Sequence, residues 1–266
     1  MERSPEIRIA LVQTDLHWLD KTANMAKLEE KIWDLKGKCD LIVLPEMFPS
    51  GFTMEAQKLA EPMNLHIHRW MKQMAAHTNS VITGSAIISE GGNFFNRLLW
   101  VNPNGYTEHY DKRHLFRMAD EEKTFSPGKQ LPIFTLKGWN FCPQICYDLR
   151  FPVWARNGWE DGIAGYDVLF YVASWPAARV SAWDALLPAR AIENLAYSFG
   201  VNRIGTDGNG IQYNGHSAVF DFKGGKILNL EEEESIQIIS LNFKELEDYR
   251  IKFPAWQDAD SFQITE

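Results

Sequence analysis

Cysteine is scarce in this chain of 266 residues: Cys39, Cys142 and Cys146 are the only three. An odd count without a secretion leader excludes a disulfide framework, so at least one thiol is free. Three residues separate Cys142 from Cys146, and no His or Cys cluster nearby completes a zinc site of ordinary spacing. No structural metal is therefore expected. Long apolar runs are absent as well. The opening MERSPEIRIALVQ has no apolar core of signal-peptide length, and no later stretch approaches a membrane span, so a cytoplasmic protein is expected. Positive charge is outweighed, with 27 basic against 35 acidic residues and a formal charge of -8. That balance disfavours nucleic acid and anionic membrane surfaces as partners and leaves a small molecule as the fitting ligand. No Pro/Gly/Ser-rich stretch or charge run divides the chain, so a single domain over residues 1–266 is expected, long enough to bury a large core.

What is present is a succession of short apolar runs. IRIALVQ (7–13) and LIVLP (41–45) are β-branched and of the kind that forms buried strands. Between them Met25, Leu28, Ile32 and Leu35 recur at helical spacing, with Lys27, Glu29, Glu30, Lys31 and Asp34 on the other faces and Gly37 as the stop. A second helix is predicted over His68 to His77, followed by the strand VITGSAII (81–88). Turn residues then separate short strands, as hairpins do: Gly91-Gly92, Pro103-Asn104-Gly105 and Lys137-Gly138, with Lys223-Gly224-Gly225 repeating the device near the end. The strand VLFYVAS (168–174), a helix from about Ala182 to Ala196 and the strand SFGVNR (198–203) lie between. Mixed sheets flanked by helices follow, an α/β or α+β class whose number of sheets periodicity leaves open. Ten tryptophans and a 13% aromatic content fit a bulky core and aromatic-lined pockets equally well.

Three polar residues stand at places where simple solvation is hard to justify. Glu46 directly follows LIVLP, so the strand delivers a carboxylate to its C-terminal edge, where open α/β sheets build sites; the plain alternative is an exposed loop acid. Lys112, in YDKRHLF, reads alone as a surface lysine. Cys146 ends FCPQIC beside the polar turn YDLRFP, where a nearby ammonium could stabilise a thiolate; alone it reads equally as a buried inert thiol.

Together these residues sit in LPEMFPSGF, YDKRHLF, KTFSPG (123–128) and ICYDLRFP, with 65 residues between Glu46 and Lys112 and 33 between Lys112 and Cys146. In these motifs, their order and their spacing, the chain resembles the nitrilase superfamily over nearly its full length. The resemblance implies a four-layer α-β-β-α sandwich of two mixed sheets. It also implies a catalytic set in which Cys146 attacks an amide carbonyl, Glu46 is general base and Lys112 stabilises the oxyanion, joined by the backbone N–H of Tyr147. A second glutamate that orients the lysine matches Glu121, with Glu122 one residue away as the alternative. No cofactor or metal is implied. Homodimers are, with the C-terminal segment from about 242 to 266 at the interface.

SWPAARVSAWDALLPARAIEN (174–194) followed by VNRIGTDGNG (201–210) resembles the bacterial omega-amidase branch, which implies 2-oxo diacid monoamides such as 2-oxoglutaramate and 2-oxosuccinamate as substrates. Ser174 departs from the branch's usual Asn. Trp175 is expected as a pocket wall with Phe48 opposite, although both read equally as core. Arg179 or Arg117 would pair the substrate carboxylate, Arg150 reads as scaffold, and Arg190 and Glu193 as an ion pair on one helix face. Competing readings are a related amidohydrolase acting on a carbamoyl group, a nitrile or a deaminated peptide, and a papain-like thiol hydrolase using His114 or His216. ICYDLR lacks the CGSCW-type context of the papain-like case. A non-enzymatic binding protein on the same scaffold is the third.

Overall fold

The computed structural model describes residues 3–264. Each predicted run forms its element, and the runs assemble into two sheets of six strands. In the first, Leu41–Val43 lies between Glu6–Gln13 and Val81–Glu90, all parallel, while Ser235–Asn242 on one edge and Asn93–Val101 and Thr107–Asp111 on the other run antiparallel. The second repeats the plan. Val168–Ala173 lies between parallel Trp139–Ile145 and Tyr197–Asn202, with antiparallel strands outside them.

Side chains alternate along a strand, so each sheet has two apolar faces to cover. Ile7, Ile9, Leu11, Leu41 and Val43 enter a core shared with Phe141, Leu169, Phe170 and Phe199 of the other sheet. Their neighbours Ala10, Val12, Ile42 and Leu44 face outward, onto Leu28 and Ile32 of the helix Lys21–Ile32 and Met71 and Met74 of the helix His66–Thr78. On the far side the helices Val180–Asn194 and Phe243–Lys252 cover the second sheet, contributing Trp183, Leu187, Ala191 and Leu246 to the core. The result is the α-β-β-α sandwich. Gly200 makes the close approach of the third helix possible, because a Cβ there would lie 2.3 Å from the Trp183 ring.

The helices differ from expectation at their ends. The first begins one residue after Asp20, whose side chain caps Ala23 N at 2.9 Å, and gives way at Trp33 to a 3-10 turn that still buries Leu35. The second runs two residues earlier and one later than predicted, stopped at Asn79 in the left-handed region. The third starts at Val180 rather than near Ala182 and tolerates Pro188 inside it. All four predicted hairpins form. Among the described residues no helix is long and apolar enough to cross a membrane.

Candidate active site

Strand ends from both sheets meet in one place. Glu46 follows the central strand of the first sheet, Lys112 follows that sheet's edge strand Thr107–Asp111, and Cys146 follows Trp139–Ile145 of the second sheet. All three are buried, as is Glu121, and Lys112 is the node of the cluster. Its Nζ donates to Glu46 Oε1 at 2.8 Å and to Glu121 Oε1 and Oε2 at 3.1 and 3.0 Å. Burial disfavours an ammonium, yet the charges of Glu121 and Glu46 outweigh it and hold Lys112 firmly protonated.

Glu46 is fixed from three sides. Besides Lys112, Asn96 Nδ2 donates to Oε1 at 2.9 Å and the Ser174 backbone N–H to Oε2 at 2.8 Å. The Ser174 hydroxyl also bonds the Glu46 carbonyl, at 3.3 Å. Because the backbone amide makes the contact with the carboxylate, this part of the network does not require Asn at position 174.

Glu121 opens a single helical turn, Glu121–Thr124, after Asp120 has adopted φ 56°. That left-handed residue turns Glu121 inward, where it also accepts the Phe116 N–H at 2.6 Å and Asn96 Nδ2 at 3.2 Å. Glu122 points away from the cluster, 3.7 Å from Arg117. Burial pushes the Glu121 carboxyl up, Lys112 pulls it back, and the Glu46 charge adds to the upward push.

Cys146 opens the 3-10 turn Cys146–Arg150 with φ 46°, a left-handed geometry uncommon outside glycine, and its thiol lies within reach of the Glu46 carboxylate and the Ser174 amide. Burial pushes this thiol well above the ordinary range; the Glu46 charge adds to the shift and Lys112 opposes it. The resting thiol is therefore neutral, and the Glu46 carboxylate stands beside it. Cys39 and Cys142 are buried away from the cavity, and all three thiols are free.

Lys112 and Cys146 form part of the floor of a cavity of about 380 Å³. Tyr147, Trp175, Phe116 and Phe52 line it, as do Arg150 and Arg179. Arg150 lies over the Trp175 ring at 4.9 Å and Arg179 over Phe116 at 5.3 Å; among the described residues neither has a carboxylate at ion-pair distance. Arg150, read from the sequence as scaffold, lies on the cavity lining. Arg117 does not line it, its side chain being 82% exposed beside Glu122. Arg190 pairs with Glu193 at 2.9 Å and also donates to the Leu149 carbonyl at 2.6 Å, tethering the turn after Cys146.

Phe48 is not a pocket wall. After Glu46 the chain reverses at Met47, φ 45°, and the Met47 and Phe48 amides bond Ser85 Oγ and the Ser85 carbonyl at 2.8 and 3.1 Å. This lays Phe48 into the helix-side core, 5.7 Å from the Trp70 ring. The aromatic wall from this motif is Phe52, 5.2 Å from Lys112 Nζ. Neither histidine of the papain-like reading lines the cavity: His114 Nδ1 bonds Asp148 at 2.7 Å, and His216 Nδ1 lies 3.1 Å from Asp184. Asn96 was missed by the sequence reading: it stands beside Arg97 in NFFNRLLWV, and its partners Glu46 and Glu121 lie on distant segments.

The carbon-nitrogen hydrolase family model matches residues 8–251. Omega-amidase YafV of Escherichia coli strain K12 is 44% identical over 98% of this chain and 99% of its own length. The 2-oxoglutaramate amidase of Bacillus subtilis is 30% identical over 94% and 96%. Among solved structures, XC1258 of Xanthomonas campestris, a CN-hydrolase superfamily protein with an arsenic adduct in its active site, superposes with a TM-score of 0.96 at 41% identity, covering 98% of this chain and 99% of that one. With its two facing sheets and a match spanning nearly its whole length, the chain belongs to the carbon-nitrogen hydrolase family of the nitrilase superfamily.

Proposed function

We propose that the chain is an omega-amidase that hydrolyses the terminal amide of 2-oxo diacid monoamides, 2-oxoglutaramate and 2-oxosuccinamate, to the diacid and ammonia. The observation that carries this reading is a neutral thiol and a fixed ammonium at one cavity floor, with the Glu46 carboxylate buried behind them and two guanidiniums on the lining that have, among the described residues, no carboxylate at ion-pair distance. The kinship with omega-amidase YafV and with a 2-oxoglutaramate amidase supports the substrate class.

Cys146 Sγ attacks the amide carbonyl carbon while Glu46 takes the thiol proton. The carbonyl oxygen becomes an oxyanion held by Lys112 and the Tyr147 backbone N–H. Placing a fixed positive charge where negative charge develops is the largest single contribution such a site makes. Collapse breaks the C–N bond as Glu46 returns the proton to nitrogen, and ammonia leaves a thioester on Cys146. Glu46 then deprotonates a water that attacks the thioester, the C–S bond breaks, and the proton goes back to sulfur. Glu121 keeps the Lys112 ammonium in place throughout. Trp175 forms one wall, and Arg179 pairs the substrate carboxylate in a charge-assisted contact.

The chain acts as one domain, in the cytoplasm, and pairs as a homodimer. Ile163 and Ile251, 68% and 73% exposed, border one cleft together with Trp159 and, from the C-terminal segment, Trp256, the type of apolar surface a second copy covers. Size-exclusion chromatography with light scattering that shows only monomer would remove the dimer from the proposal.

Ammonia release from 2-oxoglutaramate and 2-oxosuccinamate, with Cys146→Ala as blank and an N-carbamoyl amino acid for comparison, tests the function. Turnover of the oxo-amides that disappears in the variant is the expected result. Activity on the carbamoyl substrate alone would move the substrate class and keep the chemistry, whereas silence on all three would overturn both.

A further inference from the structure

Asp148, two residues after Cys146, is fully buried, lines no part of the cavity and touches none of the reacting groups. Its carboxylate nevertheless collects four donors from two directions. Oδ2 accepts the Ile145 N–H at 3.0 Å and the Tyr110 hydroxyl at 2.8 Å. Oδ1 accepts the His114 backbone N–H at 2.9 Å and its ring Nδ1 at 2.7 Å. Ile145 ends the strand that delivers Cys146, while Tyr110 and His114 flank Lys112 on either side. One carboxylate therefore ties the nucleophile's turn, in the second sheet, to the segment of the first sheet that carries the lysine.

The Tyr110 hydroxyl extends the tie. It accepts the Arg113 N–H at 3.2 Å and the Trp154 Nε1–H at 3.1 Å, so residues before and after both Lys112 and Cys146 converge on two buried oxygen-bearing groups. The need for such a tie is visible in Cys146 itself. A non-glycine residue at φ 46° persists only where its surroundings over-determine it, and the Ile145 amide just before it is held by this carboxylate.

We propose that Asp148 is a positioning residue that sets the separation of Cys146 and Lys112, with Tyr110 as its partner across the two sheets. The proposal rests on the roles of Cys146 and Lys112 given above. It assigns Asp148 no contact with substrate; its effect is on the register between attacking sulfur and oxyanion site, where a displacement of about 1 Å can cost on the order of 100-fold in rate.

Tyr110→Phe removes one of the three bonds between the lysine segment and Asp148 and keeps the ring, so it is the mild variant. Asp148→Asn keeps one acceptor oxygen, and Asp148→Ala keeps none. Steady-state kinetics on 2-oxoglutaramate is paired with the fraction of Cys146 that iodoacetamide labels, read by peptide mass. The expected result is kcat down by about tenfold in Tyr110→Phe and about 100-fold in Asp148→Asn, with Asp148→Ala lower still, KM within about threefold, and full labelling of Cys146 in Tyr110→Phe. Unchanged kcat in Tyr110→Phe and Asp148→Asn overturns the proposal. So does a loss that equals the missing labelled fraction, because the residues would then only hold the fold. Turnover retained in Cys146→Ala would instead overturn the underlying roles, which keeps the two failures apart.

Discussion

Glu121 grips the Lys112 ammonium with both carboxylate oxygens, at 3.1 and 3.0 Å, while Glu46 takes the same nitrogen with a single oxygen at 2.8 Å. The division of labour is chemical. A carboxylate committed with both oxygens is an anchor, whereas Glu46 has a second oxygen that accepts the Ser174 amide, and its carboxylate lies beside the Cys146 thiol.

Glu121→Gln is therefore expected to fold and to lose turnover by about 100-fold, as the removal of one oxyanion-stabilising element does, whereas Glu122→Gln stays within about twofold of the parent. Ammonia release by the two variants side by side decides between them. Equal effects would refute the assignment of the second glutamate.

Lys112→Met leaves two carboxylates facing each other without their cation, a loss worth about 3–5 kcal/mol when one partner of a buried pair is removed. Urea unfolding should report that drop along with complete loss of activity. Adding Glu121→Gln to Lys112→Met should recover part of the stability and none of the activity, since one of the two stranded charges is gone.

Burial raises all three thiols above their ordinary range. A group whose folded pKa is raised contributes stability that is complete below the unfolded-state pKa, about 8.5 for a thiol, and is lost as pH rises beyond it. The unfolded chain binds fewer protons there, so the urea midpoint should fall between pH 8 and 10, with a shallower fall in Cys142→Ala. A midpoint that stays flat would contradict the burial account. Because Cys146 alone of the three lines the cavity, limiting iodoacetamide should mark it first, at a rate still climbing at pH 9.

His216→Ala should keep turnover within about twofold, and His114→Ala at least about a tenth of it, since the His114 backbone N–H still reaches Asp148. Abolition of activity by either would restore a thiol-histidine mechanism.

Removing Arg179 or Arg150 should raise KM for the oxo-acid amides by about 10- to 100-fold and spare a short neutral amide, the pattern of a lost charge-assisted contact. A uniform effect on both substrate types would mean that the guanidiniums merely pack on Trp175 and Phe116.

Much of this molecule is legible in its sequence. Continuous apolar runs marked the strands buried on both faces, and glycine pairs marked the hairpins, because those signals are local. Glu46, Lys112 and Cys146 stood out through the company of their motifs. Phe48 was misplaced because a single left-handed residue, Met47, reverses the chain just before it, and no composition signal announces that turn. The same device at Asp120 separates Glu121 from Glu122. Asn96, Tyr110 and Asp148 stayed unread for a different reason. Each is one polar residue in an otherwise ordinary segment, and its meaning lies in partners 25 to 50 residues away, Asn96 with Glu121 and Glu46 at 25 and 50 and Tyr110 with Asp148 at 38.

The two sheets each contribute what the other lacks: one carries Glu46 and Lys112, the other Cys146. The cluster is consequently a property of a seam and belongs to neither leaf. On heating, a small slip of one leaf over the other would part the Cys146 sulfur from the Lys112 ammonium while every strand kept its ladder, so turnover is expected to fall before far-ultraviolet circular dichroism changes, a gauge of how tightly the halves are closed.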